Sequence, residues 1–260
     1  MPRMRVPRLH VTGGTGYLGS ELRRQAPHAT SDRVEIRDAA AVDALLTTLR
    51  PEVVVHTAYL QDGPGARETT VDGAENVARS AAAVGARLIH LSTDVVFDGR
   101  KGTPYVEEDE PCPVTDYGRA KAEAERRVVV AHPQALMVRT SLIVGGPGFP
   151  ASKHERTADD EAATFYEDEI RSPVQVGDLA SALLELAVTD LAGVLHVAGA
   201  DALSRADLAE LLSGRPVRRG PAPPSRPLDC SLSSSRARAI LRTELRGVRS
   251  VFAGRRNAYG

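Results

Sequence analysis

The sequence predicts an α/β protein: a doubly wound parallel sheet with a small C-terminal lobe. Three observations predict it. The apolar run Leu9-His10-Val11 leads into Thr12 and a glycine series, Gly13, Gly16 and Gly19, which overlaps a helical pattern at Leu18, Leu22 and Ala26. Beyond it, apolar strands and amphipathic helices alternate along the chain, which implies right-handed crossovers between parallel strands. Val53-Val54-Val55 is a continuous β-branched run, the mark of a strand covered on both faces.

The elements follow in order. At the first turn, Gly13 lets the chain leave its strand sharply, because glycine tolerates positive φ. Gly16 removes a Cβ where a pyrophosphate would approach the backbone, and Gly19 lets the helix pack tightly. The N–H groups and dipole of the helix start then hold phosphates. Thr15, Tyr17 and Leu18 complete the cofactor-lining set of this turn. A second strand is expected at Val34 to Ile36. Ala39 to Leu49 reads as a helix with Val42, Leu45, Leu46 and Leu49 on one face, closed by Pro51. After the valine strand come an alanine-rich helix from Thr69 to Val84 and a strand from Arg87 to Leu91. A long helix, Asp116 to Val130, and a strand, Ala135 to Val138, follow. Then come a helix at Val176 to Val188, a strand at Val194 to Val197, a capped helix at Ser204 to Leu212 and a last helix at Ser233 to Leu241. These place a dinucleotide-binding domain at 1–145, with 173–200 returning to it, and a substrate lobe at 146–172 and 201–260. The Pro- and Arg-rich stretch Gly214 to Pro227 reads as an exposed connector in the lobe; its arginines suit either a solvated loop or an anion patch. The tail after Phe252 is expected to fray.

Composition narrows the function. A chain of 260 residues buries one good core with a small appended lobe. Hydrophobic content of 42% and charge of 26% are those of an ordinary soluble domain. A net charge of −1 exerts no pull toward nucleic acid or an anionic membrane, so neither is an expected partner. The partners left are a small-molecule substrate and, as an option, a second copy of the chain. Cys112 and Cys230 are too few for a disulfide framework, and a reduced, cytoplasmic setting is the simplest expectation. The N-terminal MPRMRVPRLH lacks the apolar centre of a signal peptide, and no apolar run nears the roughly 20 residues that span a bilayer. His10, His56 and His90 read as satisfied core histidines, and Glu107 to Glu110 as a solvated acidic loop. No zinc spacing and no Ser-His-Asp set is legible, and no metal is expected.

A second constellation carries chemistry: Ser92-Thr93-Asp94, then Tyr117-Gly-Arg-Ala-Lys121. Tyr117 and Lys121 are four apart on an expected helix and share a face. A tyrosine of pKa about 10 is a poor proton carrier at neutral pH. An ammonium beside it favours the phenolate and lowers that value. Tyr117 can then protonate a carbonyl oxygen while hydride arrives at carbon, with the Thr93 hydroxyl holding the same oxygen and Lys121 binding the nicotinamide ribose. Apart from Lys101, Lys121 and Lys153 the basic side chains are arginines, so a compact ammonium at 121 reads as chosen for a task.

The stretches TGGTGYLG, HTA (His56 to Ala58), LSTDVVFDG (Leu91 to Gly99), YGRAK and VRTSLIVG (Val138 to Gly145) resemble an extended short-chain dehydrogenase/reductase. Within that superfamily, STDVVFDGRKGTPYVEEDEPCPVTDYGRAKAEAE, SPVQVGDLA and RPLDCSLSSSRARAIL are similar to the dTDP-4-dehydrorhamnose reductase group. The resemblance implies a Rossmann sheet binding NAD(P), a small substrate lobe and a threonine, tyrosine, lysine catalytic set, here Thr93, Tyr117 and Lys121. It also implies cofactor contacts from Thr57, Ala58, Tyr59, Ser92 and Thr140, besides Tyr117 and Lys121 themselves. Asp38 matches the family residue that meets the adenine amine, and it equally suits a helix N-cap. The chain departs from the family at Thr70-Val-Asp72-Gly, where many members have asparagine, and at Tyr59 to Ala66, which replaces an A-V-D-x-x-E segment.

Cofactor choice turns on the end of the second strand, where an acid favours NAD and arginine or hydroxyls accept a 2′-phosphate. Thr30, Ser31 and Arg33 suit the phosphate and Asp32 opposes it, so NADP(H) is favoured over NAD(H). The expected activity is reduction of a carbonyl on a small polar substrate such as a nucleotide-linked 4-keto-6-deoxysugar. An epimerase or dehydratase on the same scaffold, and a non-catalytic NADP-binding regulatory subunit, are the alternatives.

Overall fold

The computed structural model describes residues 7–253. Its strands are β1 (Leu9–Thr12), β2 (Val53–His56), β3 (Arg87–Thr93), β4 (Leu136–Thr140), β5 (Ile143–Val144), β6 (Thr164–Tyr166), β7 (Ile170–Arg171), β8 (Val174–Gln175), β9 (Gly193–His196), β10 (Leu203–Ser204) and β11 (Arg218–Gly220). Its helices are α1 (Tyr17–Gln25), α2 (Ala39–Leu49), α3 (Ala66–Thr70), α4 (Asp72–Ala83), α5 (Asp116–Ala131), α6 (Lys153–Ala158), α7 (Val176–Leu186), α8 (Arg205–Ser213), α9 (Ser235–Ile240) and α10 (Val248–Val251). The predicted α/β class is correct: a central parallel sheet runs in the order β1-β2-β3-β4-β9. Among the described residues no helix is long and apolar enough to cross a membrane.

The chain forms two compact units, each over its described residues: Met1–Ser92 with Ala120–Val138 and Leu183–Val194, and Thr93–Arg119 with Arg139–Ala182 and Leu195–Gly260. In the first, β1, β2 and β3 lie in register, so that Thr12 stands beside His56 and His56 beside His90. One core packs Ile36, Val42, Leu46, Val54, Val77, Leu88 and Val128 together. Helix α2 starts where Asp38 accepts a hydrogen bond from Ala41 N (3.1 Å) and ends at Arg50, whose left-handed φ of 42° closes it ahead of Pro51. In the second unit the strands are short and pair as β5 with β8, β6 with β11 and β7 with β10. They carry a core of Val144, Phe165, Leu203, Leu208, Leu212 and Phe252.

The structure corrects several expectations. The strand expected at Val34 to Ile36 is absent. The second strand is reduced to one bridge at Thr30, which pairs with His10 and exchanges hydrogen bonds with Leu9 O and Val11 N (both 2.9 Å). Ile36 is apolar because it drops into the core against Gly73, not because it joins the sheet. The single helix expected from Thr69 to Val84 is broken at Val71, where Thr70 turns its hydroxyl to the backbone of Leu60. The Gly214 to Pro227 connector is largely exposed, as expected, but it is tied down. It contains β11, Arg219 pairs with Asp207 and Glu210, and Arg226 grips Glu169 with two hydrogen bonds of 2.9 Å. The acidic run is not simply solvated: Glu107 is buried and accepts from His196 N (3.0 Å), and Asp109 pairs with Lys101. His10, His56 and His90 are buried but only half satisfied, for His10 Nε2, His56 Nε2 and His90 Nδ1 have no protein partner. The expected tail lies, from residue 254, outside the described residues, as do residues 1–6 of the N-terminal run.

Ile36→Ala should remove a well-packed side chain from the first unit's core and cost about 2–5 kcal/mol, read as a lowered urea midpoint. A solvent-facing strand position would lose well under half of that.

Candidate active site

The residues expected to bind and react fall on both units, and each unit builds its share from local constraints. In the first, the glycine turn is a tight bend with little room for side chains. Gly13 has φ +72°, and a Cβ there would lie 2.8 Å from Ala58 N and 2.9 Å from Thr57 Oγ1. The turn therefore sits directly on the HTA segment that ends β2, and Thr57 completes the junction by donating to Thr12 O (2.7 Å). A Cβ at Gly19 would overlap Gly13 O, so α1 packs on the turn itself rather than on the strand alone. Gly16 caps α1 and no side chain satisfies the helix start. Gly13, Thr15 and Gly16 are exposed, while Leu18 and Gly19 are buried beneath them and Tyr17 is half-buried. Bare backbone at an uncapped helix N-terminus is the cradle a dinucleotide pyrophosphate requires, so the residues present fit that group.

Around the turn, the Ser31 side chain covers Gly14, leaving no room there for a Cβ, and Arg33 is exposed two residues on. The Thr30 hydroxyl lies 2.9 Å from His10 Nδ1. Asp38 caps α2 with one carboxylate oxygen, one of the two roles its position suits. Ser92 is buried and its hydroxyl has no protein partner. Lys121 is 3% exposed. It donates to Leu91 O at 2.6 Å, lies 3.5 Å from His90 Nε2, and sits 5.7 Å from the centre of the half-exposed Tyr59 ring. Burial pulls its pKa down to about 8, partly opposed by the charge of Glu125.

In the second unit, Thr93 ends β3 and caps the 3-10 turn Asp94–Val96. Its hydroxyl accepts from Val95 N (3.4 Å) and donates to Asp94 Oδ1 (3.2 Å). Thr115 caps α5 by accepting from Gly118 N (3.0 Å). A Cβ at Gly118 would overlap Val95 O and lie 3.0 Å from Pro113 Cβ. The first turn of α5, which bears Tyr117, is thereby pressed against the turn that Thr93 caps. Lys121 follows one turn later on the same helix. Thr140 is buried with its hydroxyl committed to Val197 O (2.7 Å).

Three groups have a place here that the sequence does not assign them. Gly118 is the first; glycine inside a helix costs about 1 kcal/mol against alanine, and that penalty is the signal that a close approach lies behind it. The others are Asp94 and Arg171, both about 1% exposed. Asp94 accepts from Ser141 Oγ (2.5 Å) and faces Arg171 Nε at 3.7 Å, and burial pushes its carboxyl pKa up. Arg171 donates to the carbonyls of Ile170, Pro227 and Leu228 and pairs with Glu169 at 3.1 Å. Among the described residues no cluster of His, Cys, Asp and Glu is arranged to hold a metal ion.

The RmlD substrate binding domain family matches residues 7–253, the whole described chain. The protein belongs to this family. Among members with assigned names, a dTDP-4-dehydrorhamnose reductase of Mycobacterium tuberculosis is 38% identical over 223 residues, covering 77% of this chain and 73% of its own. One from Mycolicibacterium smegmatis is 36% identical over 275 residues, covering 94% and 84%. A solved dTDP-4-dehydrorhamnose reductase from Bacillus anthracis, in complex with NADP, superposes with a TM-score of 0.83 at 24% identity, over 96% of this chain and 98% of that one. The family resemblance read from the motifs is therefore correct, and so is the Rossmann architecture it implied.

Two variants probe the RmlD-family site. Gly118→Ala should force α5 off Val95 O; turnover should fall by tenfold or more while cofactor affinity, measured by fluorescence titration, holds within about threefold. Arg171→Leu should leave Asp94 buried without its cation, while Glu169 keeps Arg226, and cost about 3–5 kcal/mol in thermal or urea unfolding.

Proposed function

We propose that this protein is an NADP(H)-dependent reductase that transfers hydride to the carbonyl of a nucleotide-linked 4-keto-6-deoxysugar or a closely related polar metabolite. The observation that carries the reading is Lys121: of the chain's three lysines it alone is buried, and it lies one helical turn from Tyr117. Burying an ammonium is expensive unless its charge is used. The names of the mycobacterial relatives support the substrate class and the reaction.

When bound, the nicotinamide cofactor supplies the hydride. The chain's residues supply the rest. Gly13 and Gly16 admit the pyrophosphate to bare backbone, and the dipole of α1 favours its charge. Ser31 and Arg33 receive a 2′-phosphate, the basis for preferring NADP(H); the NADP bound by the Bacillus anthracis structure is in line with it. Thr57, Ala58, Tyr59, Ser92 and Thr140 contribute walls to the nucleotide site, and Asp38 meets the adenine edge with the oxygen it does not spend on its cap. Tyr117 gives its phenolic proton to the substrate oxygen as the carbonyl carbon accepts hydride. Thr93 holds that oxygen by turning its hydroxyl from Asp94. The Lys121 ammonium stabilises the phenolate that Tyr117 becomes and binds the ribose. A proton donor of this kind is worth about 10²–10⁴ in rate.

Tyr117→Phe should therefore lower kcat for NADPH-dependent reduction of a dTDP-4-keto-6-deoxysugar by at least about 100-fold, with NADPH affinity unchanged. Full turnover in that variant would refute the assignment. Net NADPH consumption, one per product, distinguishes reduction from epimerisation. The pH dependence has a definite sign. Lys121 is charged below its pKa of about 8, so kcat/KM should hold at neutral pH and fall as pH rises through that value.

A further inference from the structure

The stacked histidines behind Lys121 are unexplained by the chemistry above. His56 and His90 are side by side on β2 and β3, their rings 5.2 Å apart and 29° from parallel. Both are buried, and each leaves one ring nitrogen without a protein partner. Two imidazoles in a sheet core cost desolvation that leucine or valine would avoid. What they face is the reactive lysine: Lys121 Nζ lies 3.5 Å from His90 Nε2 and donates to Leu91 O.

Resting on the catalytic reading of Lys121, we propose that His90 is a positioning residue: a neutral imidazole acceptor which, with Leu91 O, fixes the Lys121 ammonium, while His56 fixes the imidazole by stacking.

The geometry sets the tautomer. An ammonium has only donors, so the nitrogen facing it must carry a lone pair. Nε2 of His90 is then bare and its proton is on Nδ1, the atom left without a partner. The fold supplies the second acceptor in a related way. Paired register between β2 and β3 ends at His56 and His90, while β3 runs on to Thr93. Leu91 O thus lies just past that ladder and is turned to Lys121 instead. Farther back, Thr12 Oγ1 holds His56 Nδ1 at 2.6 Å and anchors the stack. The groups of the first unit that face the ammonium are His90 and His56 from β3 and β2, the Tyr59 ring from the segment after β2, and Glu125 on α5 itself. Neither imidazole competes for the proton, for burial and the Lys121 charge hold both well below the ordinary histidine range. A charged histidine would repel the ammonium; a neutral one steadies it.

The three-lysine composition makes a direct test practical. Protein labelled with 13C at lysine Cε gives three signals, assigned by Lys101→Arg and Lys153→Arg, and the titration of the Lys121 signal reads its pKa. His90→Phe keeps a stacking ring and removes the acceptor; His90→Met does the same without a ring, should the first variant not fold. The inference expects the Lys121 pKa to fall by about one unit in either variant, tenfold in proton affinity. The high-pH limb of kcat/KM should move down with it. His90→Gln, whose amide oxygen can accept, should return both most of the way. A Lys121 titration unmoved by His90→Phe or His90→Met overturns the proposal, as does a loss of activity equal at every pH with the limb in place. Should Tyr117→Phe retain full turnover, the catalytic reading would fall, and the lysine titration would still show whether His90 holds the ammonium.

Discussion

The register of three neighbouring strands, Thr12 beside His56 beside His90, is the constraint on which the first unit depends. Side chains in a sheet alternate between faces, so a slip of one residue in any pair would send a histidine to the opposite side. With the register as it is, polar groups form a row inside an otherwise apolar interior. That row is self-consistent. The charge of Lys121 discourages protonation of the imidazoles, and the uncharged imidazoles make the charge of Lys121 tolerable. A sheet core of leucine and valine would take the imidazole acceptor from the ammonium and leave it Leu91 O, the Tyr59 ring and the charge of Glu125.

The second unit solves a related problem with ion pairs. Asp94 must remain next to the residue that caps its turn, yet it lies almost without water. Arg171 supplies the counter-charge and is itself held by three backbone carbonyls and Glu169. Arginine suits the place because a planar guanidinium can satisfy several acceptors at once, whereas an ammonium offers a compact point of charge. The chain uses arginine where it needs a brace and keeps its one buried lysine for the position beside the tyrosine.

Much of this was legible in the sequence, and what was not has physical reasons. Periodicity located α2, α5, α7 and α8, the long strands and the glycine turn, because each is long enough for its pattern to repeat. Thr30 escaped because a strand of one bridge has no period. The break at Val71 escaped because a threonine bonding to Leu60, ten residues away, leaves no local trace. The pairs β5–β8, β6–β11 and β7–β10 join segments of two or three residues far apart in the chain. In the site, the glycines and the tyrosine–lysine spacing were readable because they encode a local shape. Gly118, Asp94 and Arg171 matter through Val95, Ser141 and Pro227, neighbours that only folding supplies. A run of four acids reads as solvated, and the His196 N that draws Glu107 inside is 89 residues away in the chain.

The proline-rich stretch from Gly214 to Pro227 ends up as a belt buckled at both ends, Arg219 onto α8 and Arg226 onto Glu169. The same Glu169 braces the arginine beneath Asp94. Cutting or lengthening this belt, as in a loop graft or an inserted tag, would therefore loosen a buried carboxylate far from the cut. A segment with the composition of a spare tether is in this protein a poor place for engineering.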